Sequence, residues 1–300
     1  VSLEGQKVLI AGATGFVGSH VSRLLVERGF EVTVLTSGTT TSDRLSSIEN
    51  KLAWISIPAF PSLAAALASI QNVDAFINCA VSYGRLGESL STLVETNVLQ
   101  PLRIVEALAS KGLQIFINAD TFYPATRDSY ASSKGQLRDW LPRMAQSAGV
   151  GIANLKLQHV YGPQDGQRKF VPHIIQVCTS GEKSIELTIG AQTRDFVYVE
   201  DVAQAFLAAL TGTAITKGSC FEIDVGTGTS ITLREVVELI KEKTGSATEL
   251  KFGAVEYAPN EIMHSVADVS AAKRIGWSSR TSLEEGLKAT VAWYNRGERA

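Results

Sequence analysis

Val8-Leu9-Ile10-Ala11-Gly12-Ala13-Thr14-Gly15-Phe16-Val17-Gly18 decides the fold. Four apolar residues of strong β character run directly into glycines at every third position, and an amphipathic helical stretch over 16–28 follows, closed by Gly29. Glycine permits a tight turn and a close approach of backbone, so the helix can offer its unpaired first-turn N–H groups to a pyrophosphate. Three spaced glycines alone would make an ordinary turn. Between a first strand and a helix they predict dinucleotide binding.

Outward from this loop, apolar β-rich runs recur at 32–35, 52–57, 75–78, 115–117 and 153–157, with mostly helical stretches between them. Such alternation is what a parallel sheet covered on both faces requires, because both sides of each strand are buried. The expected fold is α/β: a Rossmann doubly wound parallel sheet over residues 1–160, with a smaller α/β substrate-binding region over 161–300. The two are expected to interleave, part of 190–230 returning to the first. Gly29, Gly112 and Gly149 stand where left-handed helix caps belong, and Thr232 with Glu235 and Ser282 with Glu285 form capping boxes. Tyr161-Gly162-Pro163-Gln164-Asp165-Gly166 reads as a boundary loop, and the Ser/Thr-rich stretch from Ser37 to Ser47 as a loop.

The chain has 300 residues, 45% of them hydrophobic, enough for a sizeable core, and its 28 basic and 30 acidic residues leave a net charge of −2 without a basic run. Nucleic acid is therefore not expected as a partner. No apolar run is long enough to span a bilayer, so no membrane association is expected and a cytoplasmic location is. Cys79, Cys178 and Cys220 are far apart, and the four histidines never take a zinc-ligand spacing, so no metal site is expected.

Tyr130-Ala131-Ser132-Ser133-Lys134 puts a phenol and an ammonium one helical turn apart on one face. A neighbouring ammonium lowers a tyrosine pKa from about 10 and makes the phenol a usable general acid or base. In a chain already carrying the glycine loop, the pair is expected to be catalytic.

The G-x-x-G-x-x-G loop with Y-x-x-x-K resembles the extended short-chain dehydrogenase/reductase family, also called the NAD-dependent epimerase/dehydratase family. The likeness runs over nearly the whole chain. Asn97 is similar to the family's helix asparagine, Asn78-Cys79-Ala80 to its fourth-strand turn beside the cofactor, Leu157-Gln158-His159-Val160-Tyr161-Gly162-Pro163 to its sixth-strand segment, and Arg194-Asp195-Phe196-Val197 to its R-D-[FY]-[IV] stretch. The resemblance implies that Gly12, Thr14, Gly15, Phe16, Val17, Gly18, Thr36, Ser37, Arg44, Cys79, Ala80, Asn97, Lys134 and Leu157 meet the cofactor. The second strand ends in Leu35-Thr36-Ser37 with no carboxylate for a ribose, while Arg44 is placed to meet a 2′-phosphate, so NADP(H) is favoured over NAD(H). The family's Ser/Thr slot after the fifth strand falls on Ala119. Thr121, two residues along on the same strand face, is the expected substitute, and Asn118 the other candidate.

Ser82-Tyr83-Gly84-Arg85, Gln158 to Gly166 with Lys169-Phe170, and Asn260 to Asp268 resemble the CDP-abequose and CDP-paratose synthases, although the arginine expected shortly before Asn260 is Ala258. That likeness implies NADPH-dependent reduction of the 4-keto group of a nucleotide-diphospho-4-keto-6-deoxyhexose, CDP- or dTDP-linked. It makes Tyr83, Arg85, Asn118, His159, Lys169 and Arg194 candidates for the nucleotide-diphosphate sugar, Arg194 through its guanidinium fork. The alternatives are an NAD-dependent nucleotide-sugar 4-epimerase or a non-catalytic NAD(P)-binding protein. A 4,6-dehydratase is disfavoured because Asp120 is followed by Thr121 rather than Glu. A homodimer is the family-level expectation.

Overall fold

The computed structural model describes residues 5–38, 43–57 and 62–296. It divides into two compact units: residues 1–157, 203–224 and 270–277, and residues 158–202, 225–269 and 278–300.

In chain order the first unit contains β1 (Lys7–Ala11), α1 (Phe16–Glu27), β2 (Glu31–Thr36), β3 (Ala53–Ser56), α2 (Leu63–Ala68), β4 (Ala75–Asn78), α3 (Leu90–Val94), α4 (Gln100–Ala109), β5 (Ile115–Thr121), α5 (Ser129–Ala148) and β6 (Gly151–Leu157). The chain continues through β7 (His159–Tyr161), α6 (Phe170–Thr179), β8 (Ser184–Leu187), β9 (Thr193–Arg194), β10 (Phe196–Tyr198), α7 (Val199–Thr211), β11 (Cys220–Val225), β12 (Ile231–Thr232), α8 (Leu233–Thr244), β13 (Glu249–Phe252), α9 (Ser270–Arg274) and α10 (Leu283–Asn295).

The central sheet has the order β11-β6-β5-β4-β1-β2-β3, and every pairing from β3 to β6 is parallel. This is the doubly wound sheet the apolar runs predict. Its order reverses between β1 and β4, and a ligand crevice in such sheets lies beyond the strand ends at that point. Phe76 of β4 stacks on Phe116 of β5 with ring centroids 5.0 Å apart, inside a core that α4 and α5 close with Ile104, Val105, Leu108, Leu137 and Leu141. Gly149 caps α5 in the left-handed conformation, at φ 63°, and both expected capping boxes are formed.

One local expectation changes. The stretch from Ser37 to Ser47 is not loop throughout: Asp43–Lys51 is a 3-10 helix that buries Leu45 and Ile48, so the loop reading fails from Asp43 to Ser47. Residues 39–42 of that stretch lie outside the described residues.

The second unit holds three two-stranded sheets, β7 with β10, β9 with β12 and β8 with β13. Tyr161, Phe196, Tyr198, Ile174 and Val236 lie in its core. Among the described residues no helix is long and apolar enough to cross a membrane, and no cluster of three metal-binding side chains occurs.

Candidate active site

At the sheet's switch point the glycines are set by space. Gly12 has φ +77°, and a Cβ there would lie 2.3 Å from the backbone nitrogen of Ala80 and 2.4 Å from the carbonyl carbon of Cys79. A Cβ on Gly18 would lie 2.1 Å from the carbonyl oxygen of Gly12. Gly15 caps α1 without a side-chain hydrogen bond, and no acidic residue stands in the first turn. The residues present therefore fit a dinucleotide: the cradle is closed to any side chain, and the helix start is electropositive. Phe16 and Val17 open that helix, and Thr14 lies in the loop before it.

Beside the loop, Arg44 donates from Nη1 to the carbonyl of Thr14 at 3.3 Å, and Arg23 donates to the carbonyl of Arg44 at 2.7 Å. Folding thus brings a cation 30 residues away to the glycine loop. Thr36, at the end of β2, accepts from the N–H of Gly38 at 3.2 Å, and Ser37 is exposed.

Tyr130 opens α5 behind the N-cap Asp128, whose carboxylate accepts from the N–H of Ala131 at 2.7 Å. The Thr121 side chain lies at the Tyr130 phenol. Tyr83 lies against it with ring centroids 4.9 Å apart, and the Arg85 guanidinium stands 5.3 Å from the Tyr83 ring centroid. The Lys134 ammonium is buried and donates to the carbonyl of Ala119 at 2.6 Å. The fold therefore assembles Tyr130, Lys134, Thr121, Tyr83 and Arg85 from three separate segments.

The electrostatics correct one expectation. Burial, reinforced by Tyr83, holds the Tyr130 phenol above its ordinary range, with the Thr121 side chain pulling the other way. The phenol is thus stored as a proton donor. Burial also lowers Lys134, opposed by the Asp120 carboxylate and by Cys79. Burial pushes the Cys79 thiol up to about 12, against the pull of Lys134, which leaves it un-ionised and unreactive.

Two more expectations are corrected by buried asparagines. Asn78, Asn118 and Asn154 are register partners on β4, β5 and β6. Asn78 donates to Asn118 at 2.9 Å, Asn118 to Asn154 at 2.8 Å, and Asn154 to Asp120 Oδ2 at 2.7 Å. Asn118 is 1% exposed and committed to this ladder, so it is not the substrate or carbonyl contact expected of it. Asn97, fully buried, binds Ser82 through both its N–H and C=O and donates to Ser133 Oγ at 2.9 Å. It holds the loop carrying Tyr83 to α5 and does not reach a cofactor. Leu157 ends β6, where its carbonyl accepts from the N–H of Phe122 at 3.3 Å.

Asp120 and Arg138 were not singled out by sequence. Arg138 Nε donates to Asp120 Oδ2 at 2.8 Å, and Asp120 Oδ1 accepts from the N–H of Thr121 at 2.7 Å. The available signal was the spacing: Arg138 follows Lys134 by the same four residues that separate Lys134 from Tyr130.

In the second unit, Arg194 is buried and paired with Glu261. Asp195 accepts from the N–H groups of Thr227, Gly228 and Ala267 and from the hydroxyl of Thr227, which joins three segments of that unit. The His159 ring lies 5.5 Å from that of Phe196, and Lys169 is the backbone N-cap of α6.

The NAD dependent epimerase/dehydratase family model matches residues 8–223. The CDP-abequose synthase of Salmonella muenchen is 32% identical over 96% of this chain and 97% of its own length, and that of Salmonella typhimurium strain LT2 is 30% identical over 94% and 96%. Among solved structures, the UDP-N-acetylglucosamine 4-epimerase from Methanobrevibacter ruminantium M1 superimposes with a TM-score of 0.85 at 21% identity, covering 99% of this chain and 100% of that one. With the glycine cradle and the Tyr130–Lys134 pair on one doubly wound sheet, the chain belongs to the NAD-dependent epimerase/dehydratase family, the extended short-chain dehydrogenases/reductases, and is an NAD(P)-dependent oxidoreductase.

Proposed function

We propose that this enzyme reduces the 4-keto group of a nucleotide-diphospho-4-keto-6-deoxyhexose, CDP- or dTDP-linked, with NADPH. The observation that carries the reaction type is the buried Tyr130 phenol at the end of β5, with Thr121 beside it and Lys134 one helical turn along. The substrate class follows from the likeness to the CDP-abequose synthases.

When bound, the reduced nicotinamide would supply the hydride. Tyr130 gives its proton to the oxygen that becomes the alcohol, and Thr121 orients that oxygen from beside the phenol. Lys134 holds the nicotinamide ribose, Gly12 to Gly18 the pyrophosphate, and Arg44 the 2′-phosphate. Tyr83 and Arg85 meet the hexose, Arg194 takes the diphosphate, and His159 and Lys169 complete its binding; a homodimer is part of the same reading. Dehydration is disfavoured, because Asp120 is followed by Thr121 rather than by the Glu of an elimination pair, and is itself bound to Thr121, Asn154 and Arg138.

The test is loss of reduced nicotinamide on mixing with freshly made CDP- and dTDP-4-keto-6-deoxyglucose. Stoichiometric oxidation of NADPH with either supports the reading. A 4-epimerase would instead interconvert hexoses without net cofactor consumption, and a non-catalytic binder would retain NADPH without turnover.

A further inference from the structure

We infer that Asp120 and Arg138 form a positioning pair that immobilises the peptide of Thr121, and with it the hydroxyl that meets Tyr130; the inference rests on the reading of Tyr130 as the acid.

Tyr130, Lys134 and Arg138 are spaced by four along α5 and so share one stripe of the helix. Each is tied to the last three residues of β5. Tyr130 faces the side chain of Thr121, Lys134 bonds the carbonyl of Ala119, and Arg138 bonds both the carboxylate of Asp120 and, from Nη2 at 3.1 Å, the carbonyl of Thr121. Asp120 holds the N–H of the same Thr121 at 2.7 Å. Both backbone polar groups of Thr121 are therefore gripped by the two halves of one ion pair. Thr121 is the final residue of β5, where the strand would otherwise be loosest.

The pair is anchored beyond the helix as well. Asp120 Oδ2 takes a hydrogen bond from Asn154, the end of the ladder that runs through Asn118 to Asn78. A shift of Asp120 would have to disturb three strands. Its side chain is 1% exposed, so Arg138 supplies the countercharge that water cannot.

The charges reach the catalytic groups with opposite signs. Lys134 faces Asp120 from β5, Cys79 from the end of β4 and Arg138 from its own helix. Tyr130 faces Thr121 and Asp120 from β5, and Tyr123 and Tyr83 from the adjoining loops. A side chain that only filled space would move neither group.

The experiment compares D120N, R138Q and the uncharged double variant D120A/R138M with the parent. The alkaline limb of kcat is measured against pH, and Lys134 is titrated by NMR of protein labelled at the lysine side chains. The expected result is that D120N moves both to lower pH and R138Q moves the Lys134 titration to higher pH. The double variant should lie between them, with kcat lowered ~10-fold or more by misplacement of Thr121 and KM little changed. Shifts in the same direction for the two single variants, or kcat reduced only as far as the folded fraction falls, would overturn the inference. Should the parent reduce no keto sugar, the proposed function fails while the Lys134 titration still decides the pair. Should a single variant not fold, the double variant carries the test: its Thr121 amide is expected to exchange with solvent at least ~10-fold faster than the parent's. Parental protection there would overturn the inference.

Discussion

The Lys134 ammonium donates a 2.6 Å hydrogen bond to the carbonyl oxygen of Ala119, the position at which the family's customary Ser or Thr is missing. The lysine is thereby fixed to the fifth strand rather than to the phenol it accompanies. Two residues on, on the same strand face, stands Thr121, whose side chain lies at the Tyr130 phenol. The chemistry of the site is carried by the end of β5 as much as by the start of α5.

Replacing Tyr130 by Phe removes the stored proton and leaves the ring packed against Tyr83. Reduction of the keto sugar is expected to fall ~100-fold or more, the range removed with a general acid, while NADPH affinity measured by fluorescence titration stays near the parent's. An unchanged rate would exclude the phenol as the acid.

Thr121 is expected to act through its hydroxyl. Thr121→Val, close in shape, should lower kcat ~10- to 100-fold, and Thr121→Ser should retain most of it. Ala119 and Thr121 alternate onto the same face of β5, so Ala119→Ser added to Thr121→Val should recover part of the loss. Steady-state kinetics of the three variants measure this.

Stability should decline on the alkaline side. Burial holds Tyr130, Tyr161 and Tyr198 above the ordinary tyrosine value, Tyr198 at about 12, so the unfolded chain loses these protons first as pH rises. Their contribution is complete below about pH 10 and is lost as pH climbs through the folded values. Lys134, lowered by burial, acts in the opposite sense, since the cost of burying its charge ends once it is neutral. Denaturant midpoints between about pH 8 and 11 should fall in the parent and fall less steeply in Tyr198→Phe.

Arg44 should discriminate between cofactors. Arg44→Ala is expected to raise the Kd for NADPH ~10-fold or more and to leave that for NADH nearly unchanged, since only the former carries the 2′-phosphate. Equal weakening of both would assign Arg44 to loop stability through the Thr14 carbonyl.

Much of the fold was legible because its signals are local. The glycine loop sits between a continuous apolar strand and a helix, and the inner strands β1, β4, β5 and β6 are buried on both faces. The 3-10 helix at Asp43–Lys51 was missed because its composition, mostly Ser and charged residues, is that of a loop, and only the burial of Leu45 and Ile48 distinguishes it. The short strands of the second unit, two to four residues each, are too brief for a period to show.

The site was legible where chemistry coincides with a spacing. Tyr130 and Lys134 announce themselves, but Arg138 looks like a solvated helix cation until Asp120 is seen facing it. Asn118 reads as an exposed strand-end amide, and only the register of β4, β5 and β6 reveals the ladder that consumes it. The direction of the Tyr130 shift was likewise hidden, because spacing shows that an ammonium is near and not how deeply the phenol is buried.

The most direct test of the central claim is to run the reaction with NADPH deuterated at the transferable position of the nicotinamide and to locate the label in the sugar by NMR. Deuterium at C4 of a 6-deoxyhexose, one atom for each NADPH consumed and on one face only, is the predicted result. A product hexose without deuterium, or label at any carbon other than C4, would contradict the assignment of this enzyme as a 4-ketoreductase.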